Sequence, residues 1–178
     1  KFTGTKNIMN VSDIWPLSAK ELDAISEGAL YKKLESFEKF LYSKAFLCTG
    51  QSEEIVGHIE KSGANETYLF RNGVDINRFK NFYEFKSDDS GGKIKIVYAG
   101  LLGVAQGIYG IVSNINFKEL GAEFHIYGEG AERKITEEYV KTNPENGIVL
   151  HDSVRSNEIP GILQKYYCAI IPLVNSIF

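Results

Sequence analysis

The sequence predicts an α/β protein built on parallel sheets, and three observations carry that expectation. From residue 94 onward, short β-branched and aromatic runs alternate with helical periodicity at a spacing that implies right-handed crossovers and a sheet covered on both faces. Glycine clusters stand where strands pass into helices, at Gly100 to Gly107 and Gly128 to Gly130. With 178 residues, 43% of them apolar, the chain has material for one large core or two small ones.

Ile8 to Ile14 reads as a short strand ended by Trp15-Pro16, since proline donates nothing to a ladder and restricts the residue before it. A connection or short helix follows. From Ala29 to Phe46 the apolar positions Leu30, Leu34, Phe37, Leu41 and Ala45 fall on one helical face, with Lys32, Lys33, Glu35, Lys39 and Lys44 elsewhere, which predicts a surface helix packed on a sheet. Phe46 to Thr49 is a strand, Ser52 with Glu54 opens a helix that closes near Gly63, and Thr67 to Arg71 supplies one more strand. Residues 80–93 are polar, with Ser87-Asp88-Asp89-Ser90-Gly91-Gly92 among them, and predict a linker or exposed loop at a domain boundary. Beyond it the pattern gives strand Ile94 to Ala99, helix Ile108 to Phe117, strand Glu123 to Tyr127 and helix Glu132 to Lys141. It continues with strand Ile148 to Leu150, helix Glu158 to Lys165 and strand Cys168 to Pro172. The expected domains are therefore 1–79 and 94–178. The chain starts just before one strand-like run and stops straight after another, so it is expected to be a piece of something longer.

A net charge of −3 provides no overall basic field for coating nucleic acid. Cys48 and Cys168 lie far apart inside apolar stretches, without the spacing of a metal knuckle or a disulfide framework, and are expected to be buried thiols in a reducing compartment. No run approaches the roughly 20 apolar residues that span a membrane, and Lys1-Phe2-Thr3-Gly4 has no signal-peptide pattern. The expectation is a cytoplasmic protein, soluble or peripheral on the inner face of the membrane. Lys32, Lys33, Lys39 and Lys44 form either a solvated face or an approach to anionic lipid.

In an open parallel sheet, ligands bind beyond the carboxyl ends of the strands, so the turns leaving those strands are the candidate sites. In Gly100-Leu101-Leu102-Gly103-Val104-Ala105-Gln106-Gly107, glycines let the backbone turn tightly and present N–H groups to an anion at a helix start; a purely structural turn is the alternative. The spacing misses G-x-G-x-x-G, and no Gly-Lys-Ser/Thr is present, which disfavours dinucleotide and P-loop chemistry. In Gly128-Glu129-Gly130-Ala131-Glu132-Arg133, Glu129 can accept from a ligand hydroxyl, or Glu129 and Glu132 can complement the helix dipole while Arg133 pairs on the surface. In His151-Asp152-Ser153-Val154-Arg155-Ser156-Asn157-Glu158 the backbone can read a base edge, or Ser156 or Asn157 can cap the next helix. Asp13, at a strand end, is an acceptor-side carboxylate or an ordinary cap, and Asn72-Gly73-Val74-Asp75 suits a turn with positive dihedrals.

Taken together, Asp13-Ile14-Trp15-Pro16, Asn72-Gly73-Val74-Asp75, Tyr98-Ala99-Gly100 with Gln106-Gly107, and Tyr127-Gly128-Glu129-Gly130 with Arg133 resemble the family 4 retaining glycosyltransferases in order and spacing. Within that family the chain is most similar to the bacterial branch serving O-antigen, capsule or lipopolysaccharide assembly. The resemblance implies the GT-B architecture of two Rossmann-like domains, with 1–79 as the latter part of the acceptor domain and 94–178 as most of the donor domain. It implies a nucleoside-diphosphate sugar as donor, a glycan or lipid-linked acceptor, and no metal or other cofactor.

By the same resemblance, Gly100, Gly103, Gln106 and Gly107 form the phosphate turn, Gly128, Glu129 and Arg133 the sugar and ribose neighbourhood, Val154 and Arg155 the base-reading loop, and Asp13 an acceptor-side catalytic group. Three departures stand out. Val104 and Gln106 occupy the region where many members carry Arg and Lys, whose charge stabilises a departing diphosphate. Ser12 stands where many relatives have histidine, and the family's acidic donor motif falls beyond Phe178, so the piece alone is expected to be inactive. A non-catalytic nucleotide-binding module and a GT-B nucleotide-sugar epimerase remain as alternatives.

Overall fold

The computed structural model describes residues 4–80 and 92–174. The chain forms two compact units, the first running to Val74 and the second from Asp75 to Ser176.

In the first unit, β1 (Ile8–Val11), β2 (Leu47–Gly50) and β3 (Thr67–Leu69) make a parallel sheet in that order, with Ile8 opposite Leu47 and Cys48 opposite Thr67. Strand β1 ends three residues before the predicted Ile14. There Trp15 N donates to Asp13 O at 3.1 Å and Ser18 N to Ile14 O at 2.8 Å, so the backbone leaves the ladder to wind into α1 (Leu17–Glu21). Helices α2 (Ala29–Lys44) and α3 (Glu53–Lys61) connect the strands. As predicted, Ser52 caps α3, its hydroxyl accepting from Ile55 N at 3.2 Å.

The face assigned to α2 is corrected by the structure. Tyr42 and Ala45 join Val11, Cys48 and Ile59 in the core, whereas Leu30 and Phe37 are exposed. Glu38 is buried in their place, because Tyr42 Oη donates to its carboxylate at 2.8 Å and His58 Nε2 lies 2.9 Å away. A carboxylate with two partners can sit inside, so residue type misjudged which side faced the sheet.

The second unit opens with a 3-10 turn at Ile76–Phe79 and carries β4 (Ile94–Ala99), α4 (Ile108–Asn114), β5 (Ala122–Tyr127), α5 (Arg133–Thr142), β6 (Ile148–His151), α6 (Ile159–Leu163) and β7 (Cys168–Ala169). Its strands are all parallel in the order β6-β5-β4-β7. Tyr98, Leu102, Ile108, Val112, Phe117, Phe124 and Ile126 form the core, with Phe117 and Phe124 stacked at 4.8 Å. Strand β7 is two residues rather than five, and Cys168 is exposed rather than buried. The cause is positional: among the described residues β7 pairs only with β4, on the open edge of the sheet. Cys48 is fully buried, which pushes its thiol pKa up. The predicted linker lies, but for its ends, outside the described residues.

Candidate functional site

With β4, β5 and β6 side by side and parallel, the three turns flagged in the sequence leave one edge of the sheet. The first two run alongside each other as a continuation of the ladder. Gly100 N donates to Tyr127 O at 3.0 Å and Leu102 N to Glu129 O at 2.8 Å. Gly128 and Gly130 both have φ of +151°, and a Cβ on Gly128 would stand 1.8 Å from Gly100 O, one on Gly130 2.4 Å from Leu102 O. These glycines let two backbones touch, and no larger residue could. Tyr98 Oη anchors the first turn by donating to Leu101 O at 2.6 Å.

Gly103 has an ordinary φ of −98° and begins a 3-10 turn over Val104–Gln106, while Gly107 is left-handed at +59° and starts α4. Gln106 N bonds Gly103 O and Gly107 N bonds Val104 O, so two amides of this turn are spent internally. A third is held by a side chain: Tyr109 N in the first turn of α4 donates to Glu132 Oε2 at 3.1 Å. A carboxylate of the protein thus already complements the start of α4. Glu132 precedes α5 in the chain, yet its carboxylate serves α4. Gln106 Oε1 is buried without a hydrogen bond among the described residues.

Glu129 is exposed, and its backbone oxygen is the one bonded to Leu102. Arg133 is largely buried and bridges elements, its Nη1 donating to Gly128 O at 3.0 Å and His151 O at 2.6 Å while Nε donates to Glu137 Oε1 at 2.6 Å. The guanidinium is therefore fixed at the carboxyl ends of β5 and β6, with its charge shared with Glu137. In the third turn Val154 is half-buried and Arg155 exposed, with Arg155 N donating to Glu158 Oε2 at 2.8 Å. Arg78 ties the same loop down, donating from Nη2 to the backbone oxygen of Ser156 and, at 2.7 Å, to its hydroxyl. Asp13 belongs to the first unit, where it is exposed and accepts from Ser18 Oγ at 2.9 Å; it is not a helix cap, since α1 begins after Pro16 with no side-chain capping bond.

Beneath these turns lies a cluster the sequence reading missed. His125 Nδ1 is 2.9 Å from His151 Nε2, Tyr127 stacks on His151 at 4.1 Å, and the hydroxyls of Tyr127 and Tyr166 are 2.8 Å apart. Burial lowers the pKa of both histidines, with the Arg133 charge adding to the effect on His151 and Glu123 opposing it on His125. The only signal in the sequence was that His125 and Tyr127, two apart on a strand, share a face. No group of three or more His, Cys, Asp or Glu side chains that could hold a metal ion occurs among the described residues.

No protein-family model and no curated protein matches the chain. Solved structures do. TarM matches over 94% of this chain and 32% of its own, at 15% identity and a TM-score of 0.64. A point mutant of S. aureus TarM, solved with Fondaparinux, alpha-GlcNAc-glycerol and UDP, matches over 82% of this chain and 29% of its own, at 14% identity and a TM-score of 0.61. HepE of Anabaena, solved with UDP and glucose, matches over 92% of this chain and 45% of its own, at 15% identity and a TM-score of 0.62. The chain thus spans about a third of TarM and under half of HepE. These structures are GT-B glycosyltransferases, and the chain has their α/β fold with parallel sheets.

Proposed function

We propose that the protein is a retaining glycosyltransferase that moves a sugar from a nucleoside-diphosphate donor to a glycan or lipid-linked acceptor in surface polysaccharide synthesis. The observation that carries this reading is the backbone-to-backbone seating of the Gly100–Gly107 and Gly128–Arg133 turns at the carboxyl edge of a parallel sheet, where open α/β sheets take their ligands. In the proposed step the bond from the sugar's anomeric carbon to the diphosphate breaks while the acceptor oxygen bonds the same face. The acceptor proton passes to the departing phosphate, and no metal takes part. Gly103 and its turn lie against the diphosphate, and Arg155 on its loop, with the guanidinium that Arg133 shares with Glu137, offsets the charge that develops there.

Calorimetry with UDP, ADP, GDP and dTDP tests the donor site, UDP first because TarM and HepE were solved with it. Gly103→Val is expected to weaken binding about tenfold, or roughly 1.4 kcal/mol. Folding should survive, because at an ordinary φ a new Cβ meets side chains and no backbone, Gln106 Oε1 at 2.6 Å and Leu101 Cδ2 at 3.4 Å. Absence of binding at millimolar nucleotide overturns the reading. A second reading, nucleotide binding without transfer, is favoured by uncharged Val104 and Gln106, which give the turn no side-chain charge to stabilise a departing diphosphate. It predicts binding with no sugar appearing on any acceptor.

A further inference from the structure

The outward side of α2 is both apolar and basic. Leu30 is 62% exposed, Phe37 55% and Phe40 53%. With Lys33 and Lys44 they recur at intervals of three and four residues, which sets all five along one stripe of the helix. The rings of Phe37 and Phe40 stack at 6.5 Å, and Lys44 Nζ stands 5.6 Å from the Phe40 ring. Lys32 and Lys39 are exposed on another side of the helix. The two acids of the helix are engaged away from the stripe: Glu38 is turned inward to Tyr42 and His58, and Glu35 pairs with Lys39 at 3.1 Å. Past the helix end Phe46 is 46% exposed, with Lys6 Nζ 4.1 Å from its ring. All this sits on a chain whose net charge is −3.

We propose that this stripe docks on an anionic phospholipid surface. Leu30, Phe37 and Phe40 enter the interface while Lys33 and Lys44 extend along them to the phosphates. No helix among the described residues is long and apolar enough to cross a membrane, so α2 lies flat on it. A nucleic acid would engage the lysines and leave three large apolar side chains in water. A second copy would set Lys33 and Lys44 against like charges. The stripe belongs to the first unit and the donor turns to the second, so its failure leaves the transferase reading untouched.

The test is sedimentation of the protein with phosphatidylcholine vesicles, with and without phosphatidylglycerol. Binding is expected only to the anionic vesicles. Lys33→Glu with Lys44→Glu, and separately Phe37→Ser with Phe40→Ser, should each reduce it about tenfold or more with the melting temperature unchanged. Equal binding to neutral vesicles, or no binding, overturns the proposal. So does loss with the lysine pair but not the phenylalanine pair, which would mark a simple polyanion contact. Self-association abolished by the phenylalanine pair, without vesicle binding, would assign the stripe to a second copy and also overturn it.

Discussion

Glu132 is the residue whose role was least legible beforehand, and the reason is distance along the chain. Read locally, it is an acid at the start of its own helix, and its backbone does open α5. Its carboxylate instead reaches Tyr109 N, 23 residues away, because the β4 and β5 turns are pressed together. Arg133, next to it, was expected to pair on the surface or face a ligand; it is mostly buried and holds the carbonyls of Gly128 and His151. Local pattern identified the residue types but not the contacts, which depend on non-neighbouring turns. Glu132→Gln removes a negative charge from the start of α4. It should cost about 0.3–1 kcal/mol in denaturant unfolding. If the diphosphate lies at that turn, the same change should tighten UDP binding severalfold by calorimetry; weaker binding would place the phosphates elsewhere.

At the level of elements, strands were read more reliably than faces. Ile94–Ala99 emerges with its predicted bounds, and helices α4 and α5 start within a residue of expectation, since β-branched runs bounded by glycine are a strong local signal. The inner face of α2 was missed because Glu38, a carboxylate, is inside and Phe37 outside, a reversal made by Tyr42 and His58 rather than by periodicity. Glycines were recognised as turn-formers, but their reasons differ. Gly103 has an ordinary dihedral, whereas Gly128 is where one turn rests on another. Gly128→Ala should therefore be a folding mutation: at φ +151° its Cβ would stand 1.8 Å from Gly100 O, and both backbones would have to part. A loss of about 3 kcal/mol or more, measured by denaturant unfolding, is expected. A stable Gly128→Ala protein would refute the close seating of these turns.

Across the whole molecule, the His125 and His151 pair makes stability depend on pH. One hydrogen bond of 2.9 Å joins the two rings, and a doubly protonated pair could not keep it, since neither facing nitrogen could then accept. Burial holds both folded-state pKa values below the ordinary 6.5. The unfolded chain therefore binds more protons than the folded one in the window beneath that value. The stability these neutral rings allow is complete above about pH 6.5 and is lost as pH falls through the depressed folded values. The pair joins β5 to β6, so the loss should appear where those strands meet. The single tryptophan, Trp15, belongs to the first unit, and its fluorescence is the wrong reporter. Hydrogen exchange of the β5 amides, Ala122–Tyr127, is the direct one. Relative to their intrinsic rates, these amides should lose protection between pH 7 and pH 5. His125→Gln, which can still hydrogen-bond His151 but does not titrate, should flatten that dependence. Protection that falls equally in both proteins would assign the acid sensitivity to other groups.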